Sequence, residues 1–216
     1  MPPPDPWAFG WTQLLTLVGF GITICIAIGG FRTFGRWRRE KLEERRMEIA
    51  FEALSIAYET KFVFDNIRSP MTFEYEWEDM TKVEGEKDED RRARGPFYGT
   101  LKRVERNKDF FERTWKLQPR VMAVFGPETE KIFLKLHQSR RFIEVSAQML
   151  SGRRYGSSGD WDENRQRQRD QWEADVWIGM DAVNPGIDRV GRGLTEFKEG
   201  MENLCRPITE REYRPK

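Results

Sequence analysis

Apolar positions divide the chain at Arg32. From Trp7 to Gly30 it reads WAFGWTQLLTLVGFGITICIAIGG, with Thr12, Gln13, Thr16 and Thr23 as its polar members and no charged side chain. About 20 apolar residues span the hydrocarbon core of a bilayer. Trp7 and Trp11 stand near one end, and Phe31, Phe34 and Trp37 near the other, where membrane proteins place interfacial aromatics. The pattern predicts a transmembrane helix over residues 7–31. A cleavable signal peptide is the rival, but it needs a basic leader, a shorter apolar core and a small-residue cleavage site. Here the run follows Met-Pro-Pro-Pro-Asp-Pro and exits into Gly-Gly-Phe-Arg, so a retained anchor is expected.

Beyond Arg32 the apolar positions follow helical spacing. Ile49, Ala53, Ile56, Val63 and Ile67 repeat at 4-3 intervals, and Ala50, Leu54, Ala57 and Phe64 widen the stripe. A face this broad suits helix packing on several sides. It should end before Ser69-Pro70, because proline disfavours helix in the residue before it. A second stripe, Phe97, Leu101, Val104, Phe111, Trp115, Met122 and Phe125, keeps step across Pro119 and predicts one kinked helix. Gly126-Pro127 stops it. A third helix carries Phe133, Leu136, Ile143, Ala147 and Leu150 and should end near Ser151-Gly152.

The fourth stripe, Val176, Met180, Val183, Ile187, Val190, Leu194, Phe197, Met201 and Leu204, crosses Asn184-Pro185 in register. It predicts one bent helix over residues 162–205, stopped at Arg206-Pro207, with Pro185→Ala leaving stability equal or better. Gly179, Gly186, Gly193 and Gly200 recur every seven residues. On one helix they form a face that either admits a close neighbour, the reading preferred, or is merely tolerated at an exposed surface.

The fold expected is therefore all-α: a single N-terminal transmembrane helix followed by a cytosolic antiparallel bundle of about four long helices. Its segments are a short extracytoplasmic N-terminus (1–6), the membrane helix (7–31), a basic juxtamembrane helix start (32–48), the bundle (49–206) with an acidic loop at about 70–95, and a polar tail (207–216).

Charge gives this layout an orientation. Residues 32–46 hold Arg32, Arg36, Arg38, Arg39, Lys41, Arg45 and Arg46, whereas the other flank of the apolar run has no Lys or Arg. Lys and Arg accumulate on the cytosolic side, so the body is expected in the cytosol and the N-terminus outside the inner (plasma) membrane. Arg32, Arg36, Arg38, Arg39 and Lys41 are the candidate contacts to anionic lipid headgroups. Gly21, Cys25 and Gly29, four apart, are candidate packing positions between membrane helices. Overall the charge is balanced at +1, so nucleic acid is not an expected partner.

Residues 74–90 carry nine carboxylates against Lys82 and Lys87, a local charge of −7. Such a stretch reads as a solvated loop. At its start Phe73, Tyr75 and Trp77 alternate with glutamates, the period of an extended strand. They are expected either to lie on the bundle or to be offered to a partner. A second linker, Gly152–Asp160, contains Arg153 and Arg154, and Ser158 or Asp160 is its candidate helix cap.

Chemistry leaves few marks. The sequence holds no G-x-x-x-x-G-K-[ST], G-x-G-x-x-G, G-x-S-x-G or H-E-x-x-H. Its one His, His137, lacks the glutamate three residues upstream that di-iron bundles use and reads as a helix-flank imidazole. Glu196-Phe197-Lys198 matches the tail of a nuclease motif but falls on the last helix. Cys25 and Cys205 are too far apart to form a disulfide framework. No catalytic, cofactor or metal residues are assigned and no cofactor or small-molecule substrate is expected. The leading expectation is a membrane-anchored, non-enzymatic interaction or scaffold module, with membrane lipid and a protein partner or a second copy as its contacts. The alternative is a membrane-tethered enzyme or toxin-like effector whose site leaves no spaced motif.

Overall fold

A computed structural model describes residues 10–152, 162–182 and 184–210. The expected extracytoplasmic segment (1–6), Trp7, the linker residues Arg153, Arg154, Ser158 and Asp160, Val183 and residues 211–216 of the tail lie outside the described residues. The described residues form six α-helices and no strand, so the chain is all-α. The helices are α1 (Trp11–Ile67), α2 (Asp88–Arg106), α3 (Lys108–Phe125), α4 (Glu130–Ser151), α5 (Glu163–Val176) and α6 (Arg189–Thr209).

Two compact units divide the chain, Met1–Met47 and Glu48–Lys216. In the first, the described residues from Trp11 onward are helical and nearly all exposed. The most apolar 18-residue window has a mean hydropathy of 2.2 and no buried residue. The Thr23 hydroxyl donates to the Gly19 carbonyl at 2.9 Å, so this polar group is satisfied within its own helix. Gly21 and Gly29 have open space around them and Cys25 is exposed.

In the second unit the first stripe is buried as expected, with Ile49, Ala53, Ile56, Val63 and Ile67 at its centre. Helix α1 ends at Ile67, just before Ser69-Pro70. The stripe shares one core with Val104 of α2, Phe110, Phe111, Leu117 and Val121 of α3, Phe133, Leu136 and Ile143 of α4, and Val190, Phe197, Met201 and Cys205 of α6. A smaller cluster joins Phe97, Ala147, Leu150, Trp172 and Val176. Helix α4 lies against α2, α5 and α6.

The second stripe is two helices rather than one. Asn107 (φ −94°, ψ 16°) separates α2 from α3. Its side-chain amide donates to the Arg103 carbonyl at 2.8 Å, and its own carbonyl accepts from the Phe110 N–H at 3.1 Å. A short amide side chain that competes for backbone partners ends one helix and starts the next. Pro119 stays inside α3, as expected, and Pro96 likewise lies inside α2.

The bent helix over 162–205 is not formed. Helix α5 stops at Val176, with Trp177 extended, and α6 begins at Arg189 with the Asp188 carboxylate accepting from the Gly191 N–H at 2.8 Å. Between them the Asn184 carbonyl accepts from the Ile187 N–H at 3.2 Å, around Pro185 and Gly186. Gly186 has φ +85°. Proline followed by a glycine at positive φ is the signature of a type II turn. The Asp181 carboxylate holds this turn from within, accepting from Gly186 N–H at 2.8 Å and Asp188 N–H at 3.2 Å. Pro185→Ala is therefore expected to lower stability, by about 0.4–1 kcal/mol through the freer unfolded chain, and denaturant unfolding will read it.

The heptad of glycines divides with the helix. Gly179 (φ +93°) and Gly186 are turn residues. Gly193 and Gly200 sit on α6, where an added Cβ would fall 2.4 Å from Ser139 Oγ and 2.9 Å from Ile132 Cγ2 of α4. The close helix contact expected from the spacing is thus made by two of the four. Helix α6 also runs past Arg206-Pro207 to Thr209.

Candidate functional site

The segment between α1 and α2 is attached to the helical body by arginine side chains. At its start the Arg68 carbonyl accepts from the Ile178 N–H at 3.0 Å; from Ser69 onward its backbone hydrogen bonds are local, such as Glu76 N–H to Phe73, Trp77 N–H to Glu74, Met80 N–H to Trp77 and Glu86 N–H to Val83. Helix α2 supplies the rest. Arg103 donates to the carbonyls of Ser69 (2.7 Å) and Met71 (2.5 Å) and to both oxygens of Glu76 (3.0 and 2.6 Å). Arg91 donates to the carbonyls of Glu78 and Met80, each at 3.2 Å. Arg94 pairs with Glu86 at 2.7 Å and also donates to the Ser151 carbonyl at the end of α4. At 3.6 residues per turn Arg94 and Arg103 stand on opposite sides of α2, with Arg91 between them.

Most of residues 74–90 are exposed, as the solvated reading expects, but Glu76 and Glu86 have buried side chains. Glu76 and Arg103 have side chains 6% and 5% exposed, and Glu86 and Arg94 2% and 7%. The extended reading of Phe73-Tyr75-Trp77 is corrected. Glu74–Glu76 is one turn of 3-10 helix, and it sends the three rings to different places. Trp77 is buried on Gly95 of α2, where a Cβ would lie 2.5 Å from the indole. Phe73 and Tyr75 stack on each other, centroids 5.7 Å apart and planes 9° from parallel, and both are exposed. Beside them a cleft of about 550 Å³ is lined by Tyr75, Glu78, Lys102, Arg106 and Lys108, among others.

Both buried carboxylates titrate low. Burial opposes ionisation of Glu76, but the hydrogen bond and charge of Arg103, with Phe73 N–H and Arg106, outweigh it. For Glu86 burial is likewise overcome, by the Val83 N–H, Arg94 and Arg91. A carboxylate depressed in the folded state contributes stability that is full above its unfolded pKa, about 4.3 for Glu, and is lost as pH falls through its lower folded value. The attachment is therefore expected to be full above about pH 4.3 and to weaken progressively as pH falls from there through the lower folded values. A fluorine label on Trp77, followed by NMR, checks this. A signal unchanged through the acid range contradicts it.

A second arginine binds the far end of α1 to the α5–α6 connection. Arg68, 2% exposed, donates to the carbonyls of Asp175 (3.1 Å), Ala174 (2.6 Å) and Trp177 (3.1 Å) and to both Asp188 oxygens (3.2 and 2.9 Å). Asp175, fully buried, accepts from Arg189 (2.9 and 2.7 Å) and from the Ser146 hydroxyl (2.6 Å). Every polar end here meets a partner, which makes the cluster a fastening.

The other sequence candidates lie apart. Arg32, Arg36, Arg38, Arg39 and Lys41 are exposed on α1 in the first unit; Lys41 pairs with Glu44 at 2.6 Å. At 3.6 residues per turn they are distributed around the helix. His137 is half-buried rather than on the open flank, 2.8 Å from Gln118 Oε1 and edge-on to Trp115. Burial, then the charge of Arg140, lowers its pKa. Glu196, Phe197 and Lys198 diverge: Glu196 pairs with Lys135 at 2.6 Å, Phe197 is buried and Lys198 faces the Tyr58 ring. Sequence reading missed Arg68, Arg94 and Arg103, although each stands within three residues of a buried apolar position, Ile67, Phe97 or Val104.

These features define an all-helical protein with one long apolar N-terminal helix, and a body fastened by buried arginine–carboxylate pairs. No family model, curated protein or solved structure matches the chain.

Proposed function

We propose that the chain is a membrane-anchored, non-enzymatic helical interaction module at the cytosolic face of the plasma (inner) membrane. Residues 7–31 cross the bilayer once with the N-terminus outside, and residues 49–206 form an antiparallel bundle in the cytosol. The observation that carries this reading is the helical run from Gln13 to Gly30. It is exposed, has no charged side chain, and is followed by seven Lys and Arg within residues 32–46. Exposed apolar patches beyond a few hundred Å² mark interaction or membrane surfaces. The basic flank gives the orientation. Phe73 and Tyr75, exposed and stacked on each other, are candidate contacts to a protein partner, with Gly21, Cys25 and Gly29 available to a second membrane helix.

The chain should resist carbonate extraction from membranes, and residues 32–216 alone should not. A reporter active only outside the cytoplasm, fused at Lys216, should be silent. Release of the full chain by carbonate, or strong reporter activity, overturns the anchor or the orientation respectively. Crosslinking in detergent followed by purification should recover a stoichiometric protein partner; a lone monomer carrying a nucleotide or cofactor overturns the module.

A further inference from the structure

The attachment of residues 70–87 is of a different kind from the rest of the fold. The two buried apolar side chains it contributes, Trp77 and Met80, belong to neither core cluster. Its backbone joins α2 where the chain enters that helix, through Arg91 N–H to the Lys87 carbonyl at 3.1 Å; elsewhere side chains hold it, those of Arg91, Arg94, Arg103, Arg106 and Lys102, with Lys102 holding Asp79 at 2.6 Å. Removing it leaves the apolar packing among α1, α3, α4 and α6 intact. A segment with few buried apolar contacts is the kind that opens locally, at a free energy below that of global unfolding.

What it covers is a formed receptor. Gly95 leaves room for the Trp77 indole, and Glu76 lies over Gly99, where an added Cβ would stand 3.4 Å from Glu76 Cβ. Arg103 and Arg94 flank this floor at the depth where carboxylates arrive, and Arg91 stands 5.7 Å from the Trp77 ring centroid. With the segment lifted, the groove presents several guanidinium groups and a flat glycine floor. Guanidinium forks match carboxylates bidentately, so the charge complement of this groove is an acidic peptide, and the floor selects one that also carries an aromatic ring. The chain's own Glu76-Trp77 shows the fit.

We propose that residues 70–87 are an autoinhibitory strap, occupying in cis a groove on α2 that takes an acidic, aromatic segment of a partner protein in trans. The proposal deepens the interaction-module reading by naming the partner's chemistry, and it rests on that reading for the existence of a partner. Its test is independent of membrane anchoring and orientation.

The test uses the full chain in detergent and a fluorescent synthetic peptide with the sequence of residues 70–88. Wild type should bind the peptide weakly, because its own strap fills the groove. Glu76→Gln weakens the strap's hold, so peptide binding should tighten by about tenfold as the open fraction rises. Hydrogen exchange should speed up at residues 73–87 while α1, α4 and α6 keep their protection. Trp77→Ala, which removes no charge and touches neither core cluster, should act the same way and stands in if Glu76→Gln fails to fold. Gly95→Ala, which places a methyl where the indole sits, should also free the strap but abolish peptide binding. Strap and helices exchanging together, strap exchange unchanged in both releasing variants, or a freed strap with no gain in peptide binding each overturn the proposal.

Discussion

Arg68→Ala is expected to cost about 3–5 kcal/mol of unfolding free energy, the range for removing one partner of a buried ion pair. The guanidinium reaches three carbonyls and both oxygens of Asp188, and it is only 2% exposed. Without it the Asp188 carboxylate, which also caps α6 through Gly191, stays beneath the surface with its charge unmatched. The carbonyls of Ala174 and Asp175 lose a donor that water reaches poorly, which adds the desolvation cost of unsatisfied polar groups. Chemical denaturation measures the loss. Arg113→Ala is the contrast. Its partner Glu59 lies across an exposed pair, the Arg113 side chain being 54% exposed, and such pairs contribute roughly 0–1 kcal/mol. Equal losses for the two arginines would contradict the view that Arg68 acts as a buried fastening.

Phe197→Ala is expected to cost about 3–5 kcal/mol by a different route, the emptying of a packed site. Phe197 is fully buried and lies against Phe133 of α4, ring centroids 5.9 Å apart at 60°. It stands between Gly193 and Gly200, the two positions that bring α6 close to α4. That closeness limits how far the helices can move to fill the cavity, since α4 already meets α6 at Ser139 and Ile132. The loss should therefore fall toward the upper part of the range. A loss below about 2 kcal/mol would show that the helix pair relaxes around the missing ring.

The helical stripes were legible because each buried face repeats at the pitch of the helix. Ile49 to Ile67, Phe133 to Leu150 and Val190 to Met201 were read correctly on that ground. The breaks were not legible by the same means. A 4-3 register reports which residues face a core, and two helices joined by a turn can face the same core without losing count. The break at 177–188 was nonetheless marked, by Asn184-Pro185-Gly186, whose turn chemistry argued against the register. Asn107 left a weaker mark, a single side chain able to take a helix end's bonds. The buried carboxylates of the strap were missed for another reason. Composition describes a segment alone, and the partners of Glu76 and Glu86 are arginines 27 and 8 residues away, brought close only by the course of the chain. Of the aromatics, Phe73 and Tyr75 are exposed, whereas Trp77 is buried against a glycine on another helix.

The fastening at Arg68 also sets an order for synthesis. Its acceptors lie 106 to 120 residues further along the chain. At about 5–20 residues per second, ribosomes deliver them roughly 5–25 s after Arg68 itself. During that interval the apolar stripe of Ile49 to Ile67 has left the ribosome while Phe197 and Met201 of α6, part of the same core, are still unmade. Until translation nears its last helix the core around that stripe is closed only by α2, α3 and α4, and truncation before Arg189 should leave it without the α6 side chains Val190, Phe197, Met201 and Cys205.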